Sequence, residues 1–130
     1  MKWFARLCIA APLLFAFGAF AQEMTERHIP VGAYPDLADR QTAVGTLVAV
    51  DAADGTVTLR VNSDLRRFRI SESTFIWLDR SRLGQTTRDA TLSELTELTT
   101  GGLRAEVRAL GPQRPDTARW LKVQLPPANG

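Results

Sequence analysis

The chain has 130 residues, 16 basic and 14 acidic side chains, one histidine and one cysteine. Its net charge of +2 comes from Lys2 and Arg6 at the very start, because every acidic residue follows Ala21 and the remaining basic residues equal them in number. That balance argues against a general polyanion binder, whose affinity rests on a surplus of Lys and Arg, and the length allows one modest core rather than two.

Residues 1–21 have the layout of a secretory signal peptide: Lys2 and Arg6, an apolar run from Leu7 to Phe20, and the small residues Ala19 and Ala21. The expected cut follows Ala21. A bilayer-spanning helix needs about 20 predominantly apolar residues, whereas this run is shorter and holds Pro12 and Gly18, so no membrane span is expected after processing. Cys8 leaves with the signal, since Arg6 and the apolar run that follows the cysteine do not suit a lipoprotein signal. The mature chain then has no disulfide and no thiolate for catalysis or metal binding. An exported protein, periplasmic or secreted, is the expectation.

Residues 22–42 carry Pro30 and Pro35 and keep neither a helical nor a strand period, which predicts a flexible arm. From Ala43 the pattern changes to strands. Val44–Asp51 and Thr56–Asn62 flank Asp54-Gly55, a hairpin signal because glycine accepts the positive φ that such turns require. Val57, Leu59 and Val61 alternate with Thr56, Thr58 and Arg60. A third strand, Arg66 to Ser71, sets Phe68 and Ile70 against Arg67 and Arg69. It breaks at Glu72-Ser73 and resumes over Phe75–Asp79, as a strand does when it bends toward barrel closure.

Thr91-Leu92-Ser93-Glu94 fits a capping box, with Leu92, Leu95 and Leu98 on one face of a short helix and Gly101-Gly102 as its exit. Leu103–Leu110 and Ala118–Leu125 complete the strands around a loop from Gly111 to Thr117, and residues 127–130 form a tail. Five strands with one short α-helix between the third and fourth is the element order of an OB-type barrel, here spanning residues 43–126 in a mainly β fold.

Chemistry-bearing residues are sparse. His28 lies in the arm with nothing to hold it beside a nucleophile, and the carboxylate pairs Asp51/Asp54 and Glu94/Glu97 sit where turns and exposed helix faces use them routinely. Residues 51–55 lack the further oxygen ligands of a calcium loop. No catalytic residue, metal site or cofactor is therefore assigned, and the chain is expected not to be an enzyme.

The candidate ligand-binding residues are Arg60, Arg67, Arg69, Arg104, Arg108, Arg119 and Trp120. OB-type barrels bind along strands two and three, between the first hairpin loop and the loop before the last strand, and arginine beside tryptophan suits a flat or anionic ligand. Alternation puts Trp120 with Lys122 and Gln124, opposite Leu121, Val123 and Leu125, and so predicts it to be more exposed than Trp77. The default for such a row of arginines is a solvated, edge-protecting face, paired with Glu106, Glu72 and Asp64. Export disfavours nucleic acid as a partner.

Ile29-Pro30-Val31-Gly32, the strand from Gly45 to Asp51, residues 74–81 and Ala118-Arg119-Trp120-Leu121-Lys122-Val123 together resemble a group of small secreted bacterial proteins of unknown function. That resemblance implies a barrel and an envelope address but no activity. A more distant likeness is to the periplasmic copper-binding barrels of metal efflux systems, with Trp77 as the match. The soft ligands copper(I) requires are absent from the barrel, since His28 and Met24 lie in the arm. The resulting expectation is a non-enzymatic binding or accessory module of the envelope, touching a protein or an anionic envelope ligand. Periplasmic metal handling through His28 and Met24 is the alternative.

Overall fold

The computed structural model describes residues 26–33, 42–98 and 101–127. The expected signal peptide, Met24, residues 34–41, residues 99–100 and the end of the tail lie outside the described residues. Seven strands form one sheet: β1 (Thr42–Asp51), β2 (Thr56–Val61), β3 (Asp64–Arg69), β4 (Phe75–Asp79), β5 (Arg88–Asp89), β6 (Arg104–Gly111) and β7 (Arg114–Gln124). Their order is β3-β2-β1-β6-β7-β4-β5, with β3 also meeting β7. The five strands β1, β2, β3, β6 and β7 thereby close into a barrel, mainly β as the alternation predicts.

Closure depends on β1 serving two neighbours. Its first half pairs antiparallel with β6, from Thr42 opposite Arg108 to Thr46 opposite Arg104, and its second half with β2, from Thr46 opposite Arg60 to Asp51 opposite Thr56. Gly45 sits at the bend, where a Cβ would collide with the carbonyl oxygen of Arg60. The expected third strand is β3 and β4 together. Both run parallel to β7, β3 through Arg69 opposite Thr117 and β4 from Phe75 opposite Trp120 to Asp79 opposite Gln124.

The helix α1 (Leu92–Thr96) lies between β5 and β6. Its capping box is formed: Thr91 Oγ1 accepts from the Glu94 amide at 3.2 Å, and Glu94 Oε1 accepts from the Thr91 amide at 3.1 Å. Leu95 drops into a core of Leu47, Val57, Leu59, Phe68, Leu78, Val107, Leu121 and Val123. The first hairpin turn follows its Asp54-Gly55 signal, with Gly55 at φ 70°, whereas Asn62, expected to end the second strand, takes φ 59° in the β2–β3 turn.

Several boundaries differ from expectation by one to four residues, among them the starts of β3 and β7, and β5 was not expected. β3 begins at Asp64 because the β2–β3 turn needs just Asn62 and Ser63. β7 begins at Arg114, across from Gly111, so Pro115 lies inside a strand that its composition marks as loop.

Candidate functional site

The outer face of β4, β7 and β6 carries a polar row that the barrel itself does not cover. Trp77 stands opposite Lys122, and Lys122 opposite Glu106. All three are buried, as are Trp120, Asp79 and Gln124. The cover is the segment 26–33, whose Glu26 and Val31 are themselves buried. Over these residues the expected arm is a docked strap.

The strap is held chiefly through its backbone. Lys122 Nζ donates to the carbonyl oxygens of Glu26, at 2.7 Å, and Ile29. The Val31 amide donates to Asp79 Oδ2 at 2.8 Å, and the Gly32 amide to Glu106 Oε1 at 3.1 Å. Trp120 Nε1 donates to Glu26 Oε2 at 3.0 Å. Arg27 pairs with Asp89 at 3.3 Å beyond the edge of the row.

Trp120 is therefore only 1% exposed, which corrects the expectation that it faces solvent. Alternation places it on the outer face correctly, but that face is roofed by residues about 90 positions earlier. The Lys122 ammonium lies 4.6 Å from the Trp120 ring centre and 5.7 Å from that of Trp77, in cation–π contact. The cation over Trp77 is thus the protein's own.

Burial acts on each charge in the row. It pushes Glu106 above the ordinary carboxylate value, against the pull of the Gly32 amide and of Lys122, Arg104 and Arg108. Burial lowers Lys122, against the pull of Glu106, Asp79 and Glu26. Burial also raises Asp79, but the amides of Val31 and Ser81 and the Gln124 side chain outweigh it, and the carboxyl ends below its ordinary value.

The seven predicted binding residues fall into separate groups. Arg104 and Arg108 flank Glu106 on the roofed side. The Arg104 guanidinium lies over Gly32, so close that a Cβ there would come within 2.5 Å of Nη2, and Arg108 reaches Thr42 Oγ1 at 3.4 Å. Arg119 is exposed as the extra residue of a bulge, since Arg108 faces Trp120 while Ala109 faces Ala118.

Arg60, Arg67 and Arg69 remain together, exposed on the outer face of β2 and β3. Among the described residues none of these three has a side-chain hydrogen bond or ion pair. The pairs with Glu72 and Asp64 that a self-neutralised face calls for are not formed, and Glu106 belongs to the roofed row. Arg67 and Arg69 line an open depression of about 680 Å³ with Asp54, Thr56, Leu65, Arg66 and Asp116. Asp54 comes from the first hairpin loop and Asp116 from the start of β7, the two flanks that OB-type binding faces use.

His28 is exposed at the strap. Among the described residues no three His, Cys, Asp or Glu side chains converge to hold a metal ion, and Met24 lies outside them. Asp51 serves its turn, Oδ1 accepting from the Asp54 amide at 3.0 Å. Among the described residues no helix is long and apolar enough to cross a membrane.

No protein-family model, curated protein or solved structure matches this chain. Any functional assignment therefore stands on the geometry above.

The strap and its holders Asp79, Glu106 and Lys122 were not foreseen. Asp79 and Lys122 each sit within an apolar run, Phe75–Asp79 and Leu121–Val123, but in an alternating strand that pattern equally fits a residue in water.

Proposed function

We propose that this chain is a non-catalytic binding barrel of the bacterial envelope, exported by its N-terminal signal, which engages an anionic partner through Arg60, Arg67 and Arg69. One observation carries this: three exposed arginines share a face with no carboxylate partner among the described residues, and two of them line an open depression. An unpaired guanidinium on a rigid strand offers a planar fork of donors to carboxylate or phosphate at little ordering cost. The roofed face of β4, β6 and β7 serves stability instead, and Arg104, Arg108 and Trp120 are assigned to it.

The test is retention of partners from envelope extract by immobilised wild-type protein and by an Arg67→Glu/Arg69→Glu variant with an unchanged circular dichroism spectrum. Species held by the wild type and lost from the variant are expected. Equal retention would retire the arginine face.

A further inference from the structure

The barrel is closed by a single ladder pair between β3 and β7, Arg69 opposite Thr117, while β3 pairs with β2 along its whole length. The far edge of β3 from Asp64 to Phe68 thus has no strand partner among the described residues. Pro115 supplies a reason. Counting back two places along the parallel register from Arg69 and Thr117 puts Pro115 opposite Arg67, and proline has no N–H to give a ladder. β3 and β7 therefore part where pairing would otherwise continue.

The depression lies along this edge. Leu65, Arg67 and Arg69 belong to the outer face of β3, whereas Arg66 lies on the inner side with Phe68, its guanidinium 5.0 Å from that ring. Side chains from both faces of one strand can line the same hollow only where the strand edge is open between them. A second hollow of about 590 Å³ shares Arg69 and Asp116 and runs on past Ser71 and Gln113. Together they make a trough along β3 and the start of β7.

We infer that this trough takes an extended acidic peptide, which adds as a strand to the free edge of β3 beside Leu65 and Arg67, with one carboxylate against Arg67 and the next within reach of the Arg69 side chain where the β3–β7 pairing begins. Arg67 and Arg69 are two residues apart on one strand, about 6.4–6.8 Å. Carboxylates at every second position of an added strand repeat at the same distance, and opposite charges across a ladder attract. Leu65, 64% exposed, gives the added strand an apolar contact.

The lining also argues for a peptide over a uniform polyanion. Three arginines in the first hollow are set against two aspartates, Asp54 and Asp116, so the local excess is one positive charge. A continuous chain of phosphates or sulfates would meet both aspartates. A peptide with spaced carboxylates need not.

This inference rests on the arginine face proposed above, and the experiment separates the two. The purified protein is titrated with a fluorescent heptapeptide, Thr-Glu-Val-Glu-Val-Glu-Thr, with the same peptide N-methylated at alternate residues, and with polyphosphate. Expected results are binding of the plain peptide, at least tenfold weaker binding of the methylated one, and slowed amide exchange at Leu65 and Arg67. At least tenfold weakening by Arg67→Gln/Arg69→Gln is expected as well, with Arg67→Glu/Arg69→Glu as a second variant should the first unfold.

Equal binding of plain and methylated peptides, still lost in the arginine variants, overturns strand addition and leaves the arginine face standing. Polyphosphate bound more tightly than the peptide overturns the choice of partner. Binding of neither peptide nor polyphosphate, or binding indifferent to both arginine variants, overturns strand addition together with its footing.

Discussion

At the scale of single residues, the two carboxylates that hold the strap sit in opposite electrostatic conditions. Asp79 accepts from N–H donors on both oxygens: Val31 and Gln124 on Oδ2, Ser81 on Oδ1. Glu106 accepts from Gly32 on one oxygen, while its Oε2 is buried without a hydrogen bond. Asp79→Asn replaces an acceptor with a donor facing donors, and should destabilise the protein by about 1–3 kcal/mol, the usual cost of a buried polar group left unsatisfied. Glu106→Gln removes a charge that burial already disfavours and should leave stability at neutral pH unchanged or raised. Asp79 titrates below its ordinary 3.8 when folded, so its stabilisation is complete above that value and is lost as pH falls through the lower, folded pKa. Glu106 titrates above its ordinary 4.5, so stability rises as pH falls through its folded pKa and levels off below 4.5. Thermal melting across acid pH should show the Glu106 rise vanish in Glu106→Gln and the Asp79 loss vanish in Asp79→Asn.

At the scale of elements, the chain reads well where local chemistry decides. The Asp54-Gly55 hairpin and the Thr91–Glu94 capping box form as their residues predict, because turn dihedrals and caps are settled within four residues. Gly45 shows what local reasoning lacks. Nothing near it in sequence demands glycine, yet β1 passes from β6 to β2 there and brings the Arg60 carbonyl against the space a side chain would fill. Gly45→Ala must push two paired strands apart and should cost about 1–3 kcal/mol, as overpacking does. Urea unfolding followed by tryptophan fluorescence would measure it, and an unchanged midpoint would show that the strands separate easily. The strap was hidden from sequence for a related reason: residues 26–33 have no period because they are bound through backbone groups, which leave no side-chain pattern.

At the scale of the whole molecule, the outer surface divides into a sealed aromatic side and an open arginine side. Trp77 and Trp120 lie beneath the strap with an ammonium already over their rings, and His28 is exposed with no cluster of metal-binding side chains among the described residues. Titration with copper or zinc should leave tryptophan fluorescence flat. Quenching that disappears in His28→Ala would revive a metal role. The alternation of apolar and polar residues, the turns and the helix caps were enough to specify a five-stranded barrel with the short helix α1, since each is a local preference that burial on one face reinforces. The sequence also placed Arg60, Arg67 and Arg69 on a shared outer face. Only the tertiary structure decided which outward positions meet water. That depends on a strap some 90 residues distant from Trp120 and Lys122, and on a proline that keeps two strands apart, and contacts made across such separations leave no mark on neighbouring residues in the chain.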